Sequence, residues 1–380
     1  MLRLLHLADL HLGWTPSFMP EPRRAERKRR RDALLRAAVD WSLRPEHRIG
    51  MVVIAGDLFE THTPDEALAA SAVRELGRLV EAGIAVVTVP GNHDEITYHN
   101  SIYRRWADRW PGVLVQHPFP AHVTTLTVAG VPVHVYGLAY TGGLTPAQRP
   151  LTQFPKPDEP GLHLAVFHGV LGDWGGERSL PLDPEALGAA GYDYVALGHI
   201  HQHREHRLGR TTAVYCGAVE SKDFEDPGVG HWTVVELDGA PGHFTARIER
   251  PPAPAQIAET VTVDAGRFDD PAALEAALLG MGGPERILRV RLTGALPFEL
   301  DVDALAASLA DRFYHLRIED QTETVSDALL DRWAAQPTIL GTFIRRMRRR
   351  LEQATGDEER RLVVKALRRG VHALSGGGAP

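Results

Sequence analysis

The chain has 380 residues, 43% of them hydrophobic and 24% charged, and a formal net charge of −7, which are ordinary values for a globular protein of two or three domains. No apolar run reaches the roughly 18 residues that a membrane-spanning helix needs, which excludes a helical membrane protein. The single cysteine, Cys216, excludes an intrachain disulfide, and the N-terminus lacks a signal-peptide pattern, so we expect a cytoplasmic protein.

The first 250 residues alternate between strand and helix patterns. Helical periodicity covers residues 27–43, 65–82 and 183–190. Residues 113–135 have apolar positions interrupted by Pro and Gly, which predicts antiparallel strands. Strands that first alternate with helices and later follow one another predict a two-sheet α/β sandwich over residues 1–250.

A Pro-rich stretch, Arg250-Pro-Pro-Ala-Pro-Ala, is typical of a linker. Residues 256–322 then show a β-α-β-α-β pattern, which predicts a small, separate α+β domain. Residues 326–374 form a helical tail, and Ser326 is a candidate cap for its first helix. The tail has two amphipathic patterns whose apolar stripes need a further surface, either the preceding domain or a partner protein.

Two segments are strongly basic although the chain is acidic. Residues 23–31 carry seven basic residues and one acid, and residues 341–370 carry ten basic residues and four acids. Each run is typical either of a solvated helix face or of a surface that contacts phosphate groups or a partner. The sequence leaves both interpretations open.

Five apolar segments end directly on residues that commonly bind metals. Because ligands of open α/β sheets bind beyond the carboxyl ends of the strands, we expect these residues to converge in space. The segments and the motifs that follow them are Leu2–Ala8 before Asp9-Leu-His11, Met51–Ala55 before Gly56-Asp57, Ala85–Val89 before Pro-Gly-Asn92-His93-Asp94, Leu162–Phe167 before His168, and Tyr194–Leu197 before Gly-His199-Ile-His201.

This set of residue types predicts a dinuclear centre for phosphodiester hydrolysis. Two divalent cations roughly 3.5–4 Å apart activate a water molecule and neutralise the phosphate, and they need one carboxylate that bridges them. We predict that Asp57 is this bridge, because it follows Gly56, where the backbone can turn sharply. Asp9 and His11 are two residues apart, so an extended chain would point both to one side.

The remaining candidates complete the predicted site. His199 and His201 repeat the spacing of two residues, and His168 adds a further ligand. Asn92 offers a neutral oxygen where another carboxylate would over-neutralise the metals. Mixed histidine and carboxylate ligation fits Mn, Fe, Zn or Co. The neighbour of Asn92, His93, is predicted not to bind metal but to polarise the phosphate or protonate the leaving oxygen, and Asp94 to orient it.

These motifs resemble the calcineurin-like metallophosphoesterase superfamily, and within it the Mre11 and SbcD family of DNA-repair nucleases, including YhaO-like bacterial members. The resemblance implies that Asp9, His11, Asp57 and His201 hold metal one, that Asp57, Asn92, His168 and His199 hold metal two, and that His93 is catalytic. It also implies two Mn²⁺ ions, exonuclease and endonuclease cleavage of DNA, a Rad50/SbcC-type ATPase that binds the tail, a capping domain at residues 256–322 and a homodimer.

The sequence departs from that family at two places. Many members have a second active-site histidine three residues after the bridging Asp, where this chain has Glu60, so the positioning of a DNA end is in doubt. Residues 215–220 replace the usual Pro-Gly-Ser loop. Two alternatives remain: a phosphoesterase of the same superfamily that acts on a small phosphodiester or a phosphoprotein, and a non-catalytic scaffold that binds DNA ends or an ATPase.

Overall fold

The structure is a computed structural model that describes residues 1–141, 150–156, 158–172, 179–226, 228–296, 298–324 and 327–374. The chain divides into two compact units, and the boundary between them along the sequence lies between Ile257 and Ala258. Ser326, the candidate helix cap, lies outside the described residues. In the part of the chain that the structure describes, no helix is long and apolar enough to cross a membrane.

The first unit is built from fourteen strands and five α-helices among its described residues. The strands are β1 Leu2–Leu7, β2 Met51–Ala55, β3 Ala85–Val89, β4 Val113–Leu114, β5 Ala121–Val128, β6 Val131–Gly137, β7 Leu162–His168, β8 Val170–Leu171, β9 Pro181–Leu182, β10 Tyr194–Gly198, β11 Arg204–Leu208, β12 Thr211–Tyr215, β13 Thr233–Asp238 and β14 Thr245–Glu249. The helices are α1 Arg23–Asp32, α2 Leu34–Ser42, α3 Glu66–Glu81, α4 Ile102–Arg105 and α5 Pro184–Ala190.

Two six-stranded sheets face each other in this unit. Their strand orders are β14-β13-β1-β2-β3-β4 and β11-β12-β10-β7-β6-β5. The alternation of side chains along each strand builds the layers: in β2, Val53 packs between the sheets, whereas Val52 and Ile54 pack on the opposite face, in the cluster that includes α2 and α3. The predicted two-sheet α/β sandwich is therefore confirmed.

The helix predicted over residues 27–43 is instead two helices, α1 and α2, separated at Ala33. Helix α1 begins four residues earlier than predicted and buries Arg27 and Arg31. Both of its buried positions are arginines, so no large hydrophobic residue marks its first turn. The prediction for residues 65–82 is confirmed by α3, whose cap Asp65 accepts hydrogen bonds from the amides of Ala67 and Leu68.

The strands that precede the candidate ligands run parallel within each sheet. Strand β2 pairs in parallel with β1 and with β3. In the other sheet β7 pairs in parallel with β10, with His168 opposite Gly198. Parallel pairing brings the carboxyl ends of neighbouring strands to one edge of a sheet, so the loops after β1, β2 and β3 emerge together, as do those after β7 and β10.

The second unit begins with a small sheet and two α-helices. Strands β15 Ala258–Asp264, β16 Gly283–Thr293 and β18 Phe313–Asp320 form a parallel sheet in that order, and β17 Ala295–Leu296 pairs with β19 Glu323–Thr324. Helices α6 Pro271–Leu279 and α7 Val302–Leu309 connect the three main strands, so the predicted β-α-β-α-β order is present.

Three helices follow, where the sequence predicted two amphipathic ones: α8 Asp327–Ala334, α9 Ile339–Gln353 and α10 Asp357–Leu374. They share a core of Leu330, Ile344, Leu367 and Val371. In α10, Lys365 and Arg369 form ion pairs of 2.9 and 3.0 Å with Asp269, which precedes α6. The tail helices therefore pack on one another, and α10 also contacts the segment before α6 within the same unit.

Candidate metal centre

The backbone at the strand ends is strained where the sequence predicts ligands. Asp9, His11, Asp57 and His199 all have positive φ, between 48° and 94°. Residues with side chains seldom adopt this conformation, and it persists where the surrounding structure enforces it, which is typical of functional sites. The expectation that Asp9 and His11 project from an extended chain is wrong, because β1 ends at Leu7 and both residues are left-handed.

Gly56 has the sharp turn that the sequence predicted, with a φ of +89°. A Cβ atom at Gly56 would collide with the ring of His168, and one at Gly91 would collide with Asp57. Gly56 therefore lets the end of β2 approach the end of β7 in the opposite sheet, and Gly91 lets the loop after β3 approach the loop after β2 in the same sheet. These close approaches bring Asp57, Asn92 and His168 together.

The residues predicted to hold metal one converge. The Nε2 atoms of His11 and His201 lie 3.2 Å apart. His201 Nε2 lies 3.8 Å from Asp9 Oδ1, and His11 Nε2 lies 3.8 Å from Asp57 Oδ2. Asp9, His11 and Asp57 are buried, and the side chain of His201 is 25% exposed. The cluster thus offers two ring nitrogens and two carboxylates around one point.

The residues predicted to hold metal two also converge. Asn92 Oδ1 lies 2.9 Å from His168 Nε2 and 2.9 Å from His199 Nδ1. His168 Nε2 lies 3.4 Å from Asp57 Oδ2, the same oxygen that faces His11. Asp57 therefore stands between the two clusters, and its other oxygen, Oδ1, accepts a hydrogen bond of 2.8 Å from the backbone amide of His93.

The donor atoms fit metal ions. His168 Nδ1 lies 2.9 Å from the carbonyl oxygen of Ala55, which can only accept, so Nδ1 carries the hydrogen. In the neutral ring the lone pair of Nε2 then faces the Asn92 oxygen, another acceptor. Two ligands bound at about 2.1 Å and at right angles to one cation would lie about 3.0 Å apart, close to the distances between these atoms.

The charges of the cluster also favour a cation. Burial alone would raise the pKa of Asp57, but the charge and the hydrogen bond of His168 hold it well below its usual value. Burial opposes protonation of His168, yet the carboxylate of Asp57 raises the pKa of that ring to about 9, so without a metal ion a proton on Nε2 occupies the position that a cation would take in the neutral ring. Burial lowers the pKa of His11 and of His199 to about 3, which keeps their nitrogen lone pairs available.

His93 lies at the edge of the cluster, next to metal-one candidates. Its side chain is 31% exposed, its ring meets that of His11 edge to face with centroids 4.7 Å apart, and it can also form a group of potential ligands with His11 and Asp57. Its Nδ1 lies 3.2 Å from the carbonyl oxygen of Glu60, so Nδ1 is the donor and Nε2 is the nitrogen left to face a substrate.

Asp94 does not orient His93 directly, contrary to the prediction. Among the described residues its carboxylate accepts hydrogen bonds from the amide of Gly91 (2.7 Å), the amide of Phe59 (3.1 Å) and the hydroxyl of Tyr103 (2.7 Å). Burial and the nearby Asp57 charge raise the pKa of Asp94 to about 6. Asp94 therefore fastens the loop after β2 to the loop after β3, which positions Asp57 and Asn92.

Several residues around the site were missed or left open by the sequence. Glu60 lies 2.8 Å from His11 Nδ1 and accepts hydrogen bonds from Lys222 Nζ at 2.8 and 3.1 Å. Asp226 accepts a 2.7 Å hydrogen bond from His201 Nδ1. Nothing in local sequence pattern identifies these pairs, because Lys222 is 162 residues from Glu60 along the chain.

Only some of the basic side chains at residues 23–31 lie on the surface. Arg27 and Arg31 are 1% and 0% exposed, and both face Glu220, so neither of the two open interpretations applies to them. Arg23 and Arg30 instead pair with Glu26 on the outer side of α1. The buried pair of arginines binds the chain segment that carries Lys222 and Asp226.

The fold and the clustered ligands define a metal-dependent hydrolase of the phosphoesterase type. A family model described as "Calcineurin-like phosphoesterase" matches residues 2–203, more than half of the chain. The chain belongs to this family, whose members bind divalent metals, and the groups of histidine and aspartate described above could hold them.

Curated relatives are similar at modest identity. The chain is 27% identical over 246 residues to the uncharacterized metallophosphoesterase YhaO of Bacillus subtilis, an alignment that covers 63% of this chain and 58% of YhaO. It is 30% identical over 233 residues to the DNA double-strand break repair protein Mre11 of Methanopyrus kandleri, covering 59% and 50%. It is 31% identical over 101 residues to the SbcD component of the SbcCD nuclease of Escherichia coli K12, covering 26% and 23%. The aligned part of the chain thus covers at most 58% of the length of any of these three relatives.

Proposed function

We propose that this protein is a Mn²⁺-dependent DNA nuclease, with exonuclease and endonuclease activity, that hydrolyses phosphodiester bonds with two metals. The observation that carries the proposal is the place of Asp57 Oδ2, which lies 3.8 Å from His11 Nε2 and 3.4 Å from His168 Nε2. One carboxylate oxygen between two sets of ligands is the arrangement that a bridged pair of cations requires.

In this proposal, metal one is held by Asp9, His11, Asp57 and His201, and metal two by Asp57, Asn92, His168 and His199. The ions would activate a water molecule and neutralise the charge that builds on the phosphate. The chain's own contribution is to fix the ligand directions through strained backbone at four of these positions. All seven ligands come from loops or strand ends at one edge of the sandwich.

His93 is proposed as the catalytic histidine. Its Nδ1 donates to the carbonyl oxygen of Glu60, so Nε2 is the nitrogen that can face a phosphate oxygen. As an imidazolium, the ring would carry a second hydrogen on Nε2, donate it to the leaving oxygen and end as the neutral ring with its hydrogen on Nδ1. Its partial exposure leaves the ring accessible to a substrate.

DNA as the substrate is supported by the relatives, of which two are named for DNA break repair or as a nuclease. We extend the proposal to the organisation of the chain: residues 1–250 as the nuclease domain, 256–322 as a capping domain and 326–374 as the segment that binds a Rad50/SbcC-type ATPase. A homodimer is part of the same proposal. In the tail, Ile339 and Leu362 are 79% and 68% exposed and are available to a partner.

The experiment is Mn²⁺-dependent cleavage of linear duplex and hairpin DNA, beside hydrolysis of bis-p-nitrophenyl phosphate. His93→Ala is the active-site variant, and His122→Ala, at an exposed position on β5, is the matched histidine control. DNA cleavage that His93→Ala abolishes and His122→Ala retains supports the proposal. Hydrolysis of the small ester by a protein that leaves DNA intact, also with an ATPase partner present, refutes the DNA substrate and favours a small phosphodiester.

A further inference from the structure

The histidines of the two clusters are held in different ways. In the metal-one cluster, both rings have carboxylates at Nδ1: Glu60 lies 2.8 Å from His11, and Asp226 accepts a 2.7 Å hydrogen bond from His201. In the metal-two cluster, His168 Nδ1 donates to the backbone oxygen of Ala55 in strand β2. A carboxylate behind an imidazole fixes its tautomer and makes the other nitrogen a stronger ligand.

Both carboxylates depend on one short segment, residues 220–226, which we call the support loop. Asp226 belongs to it, and its carboxylate also accepts a 3.3 Å hydrogen bond from the amide of Lys222. Glu60 is outside it but is held by the Lys222 ammonium at 2.8 and 3.1 Å. Asp223 turns the loop by accepting hydrogen bonds from the amides of residues 225 and 226.

The support loop is in turn fixed by the buried arginines of α1. Arg27 donates to the carbonyl oxygen of Ser221 at 2.9 Å and pairs with the carboxylate of Glu220. Arg31 donates to the carbonyl oxygen of Glu220 at 3.0 Å and also contacts that of Ser221. Three groups of the loop are therefore tied to one helix before the loop reaches Lys222 and Asp226.

We propose that the support loop sets the occupancy of metal one alone, with Glu60, Lys222 and Asp226 as positioning residues that act through His11 and His201. Metal two keeps its own support in β2 and does not depend on the loop. The inference rests on the ligand assignment proposed above. A substitution that displaces the support loop should therefore weaken the binding of metal one and leave the binding of metal two unchanged.

The test is Mn²⁺ binding, measured by equilibrium dialysis with elemental analysis over a range of metal concentrations. In Asp226→Asn, we expect the dissociation constant of one site to rise about 10- to 100-fold, while the other site is unchanged. Glu60→Gln should weaken the same site. Glu66→Gln, which removes an exposed ion pair with Arg105 elsewhere in the same unit, is the matched control and should bind like the wild type.

A second variant separates positioning from folding. Lys222→Ala removes the contact with Glu60 without changing a carboxylate beside a ligand, and Lys222→Arg, which keeps the cation, should restore binding. Equal weakening of both sites, or no weakening in variants that retain the circular dichroism of the wild type, would overturn the inference. Wild-type protein that binds fewer than two Mn²⁺ ions would instead refute the two-metal proposal, and this inference with it.

Discussion

Replacing Asp94 tests whether the site depends on the fastening of two loops. The carboxylate of Asp94 is fully buried and accepts three hydrogen bonds, from Gly91, Phe59 and Tyr103. A buried donor left without an acceptor costs about 1–3 kcal/mol. Because small shifts and water relieve part of that cost, we expect Asp94→Ala to lower the free energy of unfolding by about 3–5 kcal/mol.

Tyr103→Phe is the matched control because it removes one of the three hydrogen bonds and leaves the carboxylate and both amides in contact. Its expected cost is about 1–2 kcal/mol. Urea unfolding followed by tryptophan fluorescence reports mainly on the first unit, which contains six of the seven tryptophans. Exchange of the backbone amides of Phe59 and Gly91 should also become faster in Asp94→Ala. Equal losses in the two variants would refute the view that Asp94 fastens the loops.

Three further predictions concern the metal site and its surroundings. Asp57→Ala should lose both metals in equilibrium dialysis, whereas retention of one would show that Asp57 is not the bridge. In metal-free protein, burial opposes ionisation of Glu60, but His11 and Lys222 lower its pKa to about 2 from the usual 4.5. The stability that ionised Glu60 contributes above pH 4.5 is therefore lost as the pH falls towards 2. The melting temperature of Glu60→Gln should fall less steeply with decreasing pH than that of the wild type, and an identical pH dependence would contradict this. Arg31→Met should cost about 3–5 kcal/mol of unfolding free energy, because it leaves the buried carbonyl oxygens of Leu10 and Glu220 without this donor and removes one of the two cations that face Glu220. The exposed Arg29→Met should cost less than about 0.5 kcal/mol, and similar urea midpoints for both variants would refute the burial argument.

The candidate ligands were predictable from sequence because their position depends on a simple property of parallel sheets. Each follows a short apolar strand, and neighbouring parallel strands end at one edge. Within one sheet, residues as distant as Asp9 and Asn92 could therefore be grouped, whereas the meeting of Asp9 with His201 depends on the packing of the two sheets. The left-handed conformation of Asp9 and His11 could not be predicted from the residue types. In the structure the amides of these two residues donate hydrogen bonds to the carbonyl oxygens of Gly56 and Asp57, which are distant along the chain.

The contacts that hold the candidate ligand histidines in place could not be predicted from the sequence, for a different reason. Glu60, Lys222 and Asp226 are polar residues in loops, where polar residues are expected whatever their role. Their structural role depends on contacts between distant residues. Glu60 pairs with Lys222, 162 residues away, and Asp226 accepts a hydrogen bond from His201, 25 residues away. A departure from the family pattern at Glu60 was visible, but only its contacts with His11 and Lys222 give that residue a physical role.

The basic run on α1 shows why charge density alone is a poor guide to a binding surface. A run of arginines is usually solvated, since burying a guanidinium is costly unless it is paired and fully hydrogen-bonded. That cost is lowered for Arg27 and Arg31, because Glu220 faces both guanidinium groups. They also donate hydrogen bonds to backbone carbonyl oxygens, those of Leu10, Glu220, Ser221 and Gln256. Burial lowers the pKa of Arg31 only to about 10, so it stays charged at neutral pH and holds the support loop as a cation. Those two charges are neutralised inside the fold, and any phosphate contact on α1 must come from the remaining, outward-facing basic residues.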